Sequence, residues 1–185
     1  MLKVKIFILI LSTFLLVGCQ IPQYLKDNFK YKYDGQYTGI DTLINIAGFY
    51  QFEENSTYWN GEFVFYKDGT FAVGSELENC EESKDSHIPE WGSYIIAKDT
   101  IKCQSIFSPG KGRWGGGIIV EYWYKIIDRN KLVRIYLSES NIDNRVIEYD
   151  VRDTAVFIPT SNLPDPMNWI KEERWSWKEG YYPEE

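Results

Sequence analysis

A glycine-rich loop at residues 110–117 is the first place where the residue types could do chemistry. Its sequence, Gly-Lys-Gly-Arg-Trp-Gly-Gly-Gly, brings backbone amides and a lysine together, and loops of this kind can cradle phosphate groups. A phosphate-binding loop, however, has Lys and Ser or Thr directly after its last glycine and is followed by a helix. Here the β-branched residues 118–120 follow and indicate a strand. We therefore interpret the segment as a loop at one end of a sheet, from which Arg113 and Trp114 could touch a ligand.

The second candidate is an acidic stretch, residues 76–87, which holds five carboxylates and the single histidine of the chain, His87. Calcium loops need oxygen ligands at fixed spacing around a turn glycine, and this stretch has no glycine. His87 has no neighbouring nucleophile in sequence, and the members of a catalytic triad meet only in space. The 27 acidic residues of the chain select no pair for glycoside hydrolysis. We therefore predict a solvated loop here, and no catalytic residue, metal site or cofactor in the chain.

Cys80 and Cys103 are the only cysteines that follow the first 19 residues. In an exported protein such a pair is more often bridged than free. Closing the loop between them would stabilise the fold by about 3 kcal/mol in the chain-entropy model. Two isolated cysteines and one histidine do not have the spacing of a zinc site. We expect a disulfide between Cys80 and Cys103, and the alternative is two unpaired thiols.

Aromatic side chains on the predicted strands are the candidate ligand contacts. One strand alternates Tyr122 and Tyr124 with Trp123, so one of the two sets faces the inside of the sheet whichever register holds. Such rings could line a pocket for a lipid or a sugar, or they could simply be part of the core. The same alternative applies to Trp91 and Tyr94. The residues that we assign as candidate ligand contacts are Trp91, Tyr94, Trp114, Tyr122 and Tyr124.

Strands must position these residues, because composition and turn signals both favour β structure. Aromatic residues make up 17% of the chain, and Tyr and Trp fit pleated, half-buried surfaces. Residues 61–71 and 92–101 share a pattern of glycine, aromatic residue, lysine and aspartate, echoed more weakly in residues 123–132. Each copy predicts a strand, a turn and a second strand, and Asp68 and Gly69 give the clearest hairpin signal. Further strands are predicted at residues 48–52, 70–74, 100–106, 118–127, 131–137, 145–151 and 154–158.

The two flanks of the strand region have a different character. Residues 20–35 are polar and rich in tyrosine, with no helical or alternating stripe, which predicts a tether. The prolines between positions 159 and 166 end the sheet region, because proline cannot donate into a ladder. Asp165 as N-cap and Pro166 as first helical residue predict one short helix. The tail at residues 175–182 is too aromatic to be only solvated, and we expect it to pack across the domain.

The first 19 residues have the pattern of an export signal. Lys3 and Lys5 precede an apolar run of 12 residues, 6–17, which is too short for a membrane-spanning helix of roughly 20 residues. Residues 16–19, Leu-Val-Gly-Cys, close this run and resemble the signal of bacterial lipoproteins. The resemblance implies cleavage before Cys19 and attachment of acyl chains to this residue, and two or more chains give a stable anchor. The alternative is an uncleaved membrane anchor.

The charge left after cleavage limits the partners. Removal of residues 1–18 leaves 167 of the 185 residues, enough for one domain, and moves the net charge from −7 to −9 because two lysines are lost. A protein this acidic is not expected to bind nucleic acid. The lipoprotein resemblance implies a cell-envelope location with the lipid anchor in a membrane. Gln20 after the acylated cysteine implies the outer membrane if the cell has one.

The strand region resembles a known family of barrels. An up-and-down meander over residues 46–160, with a late helix and a C-terminal wrap after a lipoprotein signal, is similar to the lipocalin-like domains of bacterial lipoproteins. Gly48-Phe49-Tyr50 stands where lipocalins have Gly-x-Trp. The resemblance implies an eight-stranded barrel, open at one end, with an apolar ligand inside. We therefore predict an all-β fold, an antiparallel meander that closes into a lipocalin-like barrel of about eight to ten strands, with a short C-terminal helix.

The predicted organisation is a lipoprotein leader at residues 1–18, a tether at residues 19–36 and a single β-barrel domain with a C-terminal wrap at residues 37–185. Two functions fit it, and neither is enzymatic. In the first, the anchored barrel binds a small apolar or aromatic-stacking ligand in a cavity open at one end. In the second, an accessory lipoprotein contacts another envelope protein through an exposed apolar patch. The candidates for that patch are Trp169, Trp175 and Trp177.

Overall fold

The computed structural model describes residues 23–53, 56, 61–75, 77–79, 89–107, 117–140, 145–166 and 169–183. Nine strands and five short helices lie within these residues. The strands are β1 (Gly48–Phe52), β2 (Glu62–Phe65), β3 (Thr70–Gly74), β4 (Glu90–Ala97), β5 (Thr100–Phe107), β6 (Ile118–Asp128), β7 (Lys131–Ser140), β8 (Val146–Tyr149) and β9 (Asp153–Pro159). The α-helices are α1 (Gln23–Asn28), α2 (Ile40–Leu43) and α3 (Trp169–Glu172), and the 3-10 helices are Leu77–Asn79 and Arg174–Ser176.

The strands form one antiparallel sheet that closes into a barrel. β1 to β6 pair in sequence order, β6 pairs with β7, β7 with β9, and β9 returns to β1. β8 is an additional strand, since it pairs with the second half of β7 while β9 pairs with the first half. The prediction of an all-β, lipocalin-like antiparallel barrel with a short C-terminal helix is therefore confirmed, with eight strands in the closed barrel.

Two glycines explain how neighbouring strands can approach and reverse. Gly69 has a φ of +93°, which L side chains rarely adopt. Beside it, Asp68 accepts hydrogen bonds from the amide and the hydroxyl of Thr70 at 3.0 and 2.7 Å, so the predicted turn connects β2 to β3. At Gly92 in β4, a Cβ would lie 2.1 Å from the carbonyl oxygen of Gln104. Only glycine fits this close approach of β4 to β5.

The two ends of the barrel differ in the length of their connections. The turns β2–β3, β4–β5 and β6–β7 are short and lie at one end, which we name the closed end. The connections β1–β2, β3–β4, β5–β6 and β7–β8 leave from the opposite end, which we name the loop end. At the closed end Ile40 and Ile44, at the start and just after α2, are fully buried. Arg129 fixes α2 there by donating to the carbonyls of Asp41 and Thr42 at 2.9 and 3.0 Å.

Residues 23–36 are part of the folded body, where the sequence predicts a tether. Leu25 and Phe29 are each only 1% exposed and belong to an apolar layer on the outside of the barrel. Tyr33 forms a parallel bridge with Trp177, and their rings meet edge to face with centroids 4.3 Å apart. The apolar spacing of this segment is irregular, because it fits the curved outer surface of a barrel rather than one face of a long helix.

The C-terminal segment covers the same outer face. Ile170 is fully buried in this outer layer, and Trp175 packs edge to face on Phe29 with ring centroids 5.5 Å apart. The barrel thus lies between an inner core of rings and an outer layer built from both ends of the chain. Within the described residues, no helix has the length and apolar character that crossing a membrane requires.

Candidate ligand-binding site

Aromatic rings fill the barrel interior from the closed end to the middle of the strands. Phe63 from β2 stacks on Tyr124 from β6 with ring centroids 4.5 Å apart, so the rings join opposite walls of the barrel. Tyr50 stacks on Phe63 at 5.6 Å, and Phe65 meets Tyr94 edge to face at 5.3 Å. Each such pair adds about 0.5–1.5 kcal/mol beyond the area that it buries. The interior that the resemblance implies to be ligand-filled is therefore occupied, from the closed end to the middle of the strands, by the protein's own side chains.

A β-bulge places a charged residue inside this core. β6 and β7 change register so that Trp123 pairs with Tyr136 but Tyr124 pairs with Arg134, which leaves Ile135 as the extra residue. Bulges re-aim side chains in this way. Because of the shift, the rings of Trp123 and Tyr136 meet outside the inner core in a tilted contact with centroids 4.5 Å apart, while Arg134 lies fully buried next to the interior rings.

The guanidinium of Arg134 is only partly paired. Its Nη2 donates to the carboxylate of Asp153, a side chain 4% exposed, and to the Ser56 hydroxyl at 3.4 Å. Its carbon atom lies 4.2 Å from the centroid of the Phe52 ring, a cation–π contact. Nε and Nη1 have no hydrogen-bond acceptor among the described residues. Each buried donor left unpaired costs about 1–3 kcal/mol, and more on a charged group.

The hydroxyl of Tyr124 is the other buried polar atom with no partner in the described part of the chain. Tyr124 lies directly opposite Arg134 in the β6–β7 pairing, and its ring stacks on Phe52 at 6.4 Å. Burial raises the pKa of Tyr124 well above its usual value, and the Cys103 thiol acts in the same direction, while Arg134 opposes them. The hydroxyl therefore stays protonated and available as a donor. We name Arg134, Asp153, Tyr124 and Phe52 the arginine cluster.

Polar residues continue from this cluster towards the loop end. Burial of Glu90, the first residue of β4, removes water from its carboxyl group and raises its pKa to about 7. The hydrogen bond from the Ser105 hydroxyl at 3.4 Å acts in the opposite direction. The charge of Glu139 adds to the rise. Burial is also the main cause that raises the pKa of Tyr122, helped by Glu90 and opposed by a hydrogen bond with Ser105 and by Arg134. Near neutral pH the Glu90 carboxyl is therefore protonated about half of the time.

The structure separates the aromatic residues that the sequence assigns as ligand contacts. Tyr94, Tyr122 and Tyr124 face the interior and belong to the inner core. The hydroxyl of Tyr94 already bonds the Thr38 hydroxyl at 2.7 Å and the backbone carbonyl of Tyr66 at 2.6 Å. Trp91 is in the outer layer, where it stacks on Tyr66 at 5.6 Å, so it does not line the interior. Trp114, like the proposed acylation site Cys19, lies outside the described residues.

The predicted disulfide is not formed. Cys103 is a free thiol, fully buried in the inner core of the barrel. Its side chain points inward because it alternates with the outward Lys102 and Gln104 on β5, and burial raises the pKa of its thiol well above the usual value. Cys80 lies outside the described residues. Alternate positions on a strand point to opposite faces of the sheet. The spacing between two cysteines in sequence does not show which face either side chain occupies.

Two of the three tryptophans that the sequence predicts as an exterior patch pack against the protein itself. Trp175 and Trp177 pack on Phe29 and Tyr33 of the N-terminal segment, and the side chain of Trp169 lies outside the described residues. Exposed apolar side chains occur instead on β8, where Val146 is 55% exposed. The glycine-rich and acidic loops lie mostly outside the described residues. Within the described residues, no group of three or more potential metal ligands is present.

Sequence reasoning identified Tyr124 of the arginine cluster but missed its other members, Arg134, Asp153 and Phe52, and also Glu90. A signal exists for Arg134, because it is a lone charge in the apolar run 132–137 of a strongly predicted strand. The bulge that decides its direction has no such signal. Comparisons with protein-family models, with curated proteins and with solved structures give no match to this chain.

Proposed function

We propose that this chain is a lipid-anchored, non-enzymatic binding protein, whose barrel takes up a small, mainly apolar ligand from the loop end. The observation that carries the proposal is the pair of buried groups with unused donors, Arg134 and Tyr124, inside an otherwise apolar barrel. Replacing a buried ion pair with apolar residues is often neutral or stabilising. A buried arginine with free donors is therefore better explained by a ligand than by stability.

The number of donors supports a carboxylate on the ligand. Nε of Arg134 has one N–H and Nη1 has two, and Tyr124 adds one O–H, while an ionised carboxylate offers about four lone-pair positions. Charge-assisted hydrogen bonds of this kind are about twice as strong as neutral ones. Val120 and Leu137 belong to the inner core on the strand halves nearest the loop end. These side chains favour an apolar chain behind the acid group.

The anchor and the location rest on the resemblance of residues 16–19 to a lipoprotein signal. They support a body held outside the cytoplasm by acyl chains on Cys19, in the cell envelope. An apolar acid is sparingly soluble in water, so a protein that shields its chain fits a location at a membrane surface.

The test measures whether decanoate raises the thermal unfolding midpoint of the purified protein. A ligand at 100 times its dissociation constant stabilises by about 2.7 kcal/mol, which corresponds to a shift on the order of 5–10 °C for a domain of this size. We expect decanoate to produce such a shift, decanol a smaller one, and the Arg134→Met variant to lose the difference between them.

Tyr124→Phe and Tyr136→Phe form the matched pair of variants for this test. Both remove one hydroxyl from the same pair of strands, but Tyr124 faces the interior whereas Tyr136 bonds Glu148 on the exposed side at 3.0 Å. Only Tyr124→Phe should weaken the decanoate effect. If neither decanoate nor decanol changes the midpoint of the unmodified protein at any concentration below micelle formation, the binding function is wrong.

A second function, contact with another envelope protein, is favoured by β8. Val146 and Ile147 are 55% and 44% exposed, and among the described residues β8 pairs with β7 only. Exposed strands of this kind can accept a strand from another chain. A photo-crosslinking residue at position 147, compared in cells with one at the exposed Ile127 of β6, tests this function. Specific capture at 147 alone supports it, and equal or absent capture at the two positions counts against it.

A further inference from the structure

The N-terminal segment runs along the outside of the barrel from one end to the other. At the loop end, Tyr24 donates its hydroxyl hydrogen to the backbone carbonyl of Gly117, just before β6. Half-way down, the amide of Lys30 donates to the side-chain carbonyl of Gln104 at 2.6 Å. At the closed end, the amide of Thr38 donates to the carbonyl of Lys67 at 2.9 Å. Gln23, where α1 begins, therefore lies at the loop end.

A buried carboxylate holds the segment in this course. Glu121 of β6 is 6% exposed and accepts hydrogen bonds from the Tyr31 hydroxyl at 2.6 Å and from the ammonium group of Lys30 at 3.0 Å. Gln104 and the indole of Trp123 also donate to it, at 3.1 and 2.8 Å. These bonds lower the pKa of Glu121 although its burial opposes them, so the carboxylate is charged and retains its partners at neutral pH.

The chain between the acylation site and this fixed segment is short. Three residues separate Cys19 from Gln23, so four Cα steps span at most about 14 Å when fully extended. An eight-residue strand such as β4 rises about 26 Å, or about 20 Å along the barrel axis at the usual tilt. The closed end is therefore farther from the start of α1 than the connecting chain can reach.

From this geometry we infer that the loop end of the barrel is the end nearest the lipid bilayer, so that the end proposed for ligand entry faces the membrane surface. The inference rests on the proposed acylation of Cys19. A barrel with its closed end at the membrane would need the connecting chain to extend past the full height of the body. The partner is thus the lipid surface itself, and the arginine cluster lies between the membrane and the closed end, where α2 packs.

The test measures the distance of each end from the membrane in the full, acylated chain reconstituted in phosphatidylcholine vesicles. A genetically encoded fluorescent amino acid replaces either Val146, exposed at the start of β8 opposite the last residue of β7 at the loop end, or Asp99, exposed in the β4–β5 turn at the closed end. A quencher attached to lipid headgroups reports proximity. We expect quenching at 146 to exceed quenching at 99 by about twofold or more, because the ends differ by about 20 Å.

A spacer variant is the matched control. Insertion of 20 Gly and Ser residues between residues 22 and 23 gives a connection of about 25 Å root-mean-square length, and the ratio of the two quenching values should fall towards one. Equal or stronger quenching at 99 in the unmodified, vesicle-bound chain overturns the inference while the anchor stands. Failure of the unmodified chain to stay on vesicles, with behaviour equal to that of Cys19→Ser, removes the anchor and the inference together, but leaves the decanoate test unaffected.

Discussion

The buried ion pair between Arg134 and Asp153 gives the sharpest test of the interior. Asp153→Asn keeps the shape of the side chain but removes its charge, so the fully buried guanidinium loses its counter-charge. Removing one partner of a buried pair costs about 3–5 kcal/mol of the free energy of unfolding. Arg134→Met should cost less, because the remaining carboxyl of Asp153 can avoid burial of a charge by binding a proton.

The double variant Arg134→Met with Asp153→Asn tests whether the stability losses at the two positions depend on each other. It removes both charges and the unpaired donors of the guanidinium, and such replacements are often neutral or stabilising. The loss of the cation–π contact with Phe52 offsets this by about 1–2 kcal/mol. We therefore expect the free energy of unfolding of the double variant to lie within about 2 kcal/mol of that of the unmodified protein. Its loss of stability should be much smaller than the sum of the two single losses.

Urea unfolding followed by tryptophan fluorescence measures these free energies for the four proteins. The exposed pair of Lys67 and Asp41, 2.8 Å apart, provides the control cycle and should show no measurable coupling. Additive losses at Arg134 and Asp153, with the double variant as unstable as the sum of the singles, would show that the two charges do not depend on each other. The account of the arginine cluster would then be wrong.

Three further predictions concern single residues. Glu90 binds a proton more tightly in the folded than in the unfolded state, so stability falls as pH rises from about 4.5 to about 7 and stays lower above it. In urea unfolding, Glu90→Gln should therefore raise the free energy of unfolding by about 2 kcal/mol at pH 8 and change it little at pH 4. Gly92→Ala should prevent folding or cost several kcal/mol, about 3 or more, because the new Cβ would lie 2.1 Å from the Gln104 carbonyl, and circular dichroism with urea unfolding would detect it. The Cys103 thiol should resist a maleimide in the native protein and react in 8 M urea, in a Cys80→Ser background; mass spectrometry showing rapid native labelling would place this thiol outside the core.

Local signals in the sequence were sufficient for much of the barrel. The turn at Asp68 and Gly69 depends on backbone conformations that few residues adopt, and these residues are adjacent in the chain. The alternation of Tyr122 and Tyr124 with Trp123 also predicted two faces, because side chains on a strand alternate with a period of two. Such features need only neighbours in sequence, and the structure confirms the barrel that they predict.

Features that depend on distant pairing were not predicted. The inward direction of Arg134 depends on a bulge opposite Trp123 and Tyr124, which only the pairing of β6 with β7 creates. The packing of residues 23–36 depends on contacts with Gln104, Glu121 and the C-terminal segment, all far away in sequence. The inner position of the free Cys103 likewise follows from which face of β5 closes onto the core.

The bridge between Tyr33 and Trp177 sets an order on biogenesis. The amide of Tyr33 donates to the carbonyl of Ser176, and the amide of Lys178 donates to the carbonyl of Tyr33, both at 2.7 Å. Tyr33 thus finds its backbone partners 143 and 145 positions later in the chain, at Ser176 and Lys178. Backbone pairing at Tyr33 therefore waits until residues 176–178 have been synthesised, and deletion of these residues should free Tyr33 while Tyr31 stays bound to Glu121.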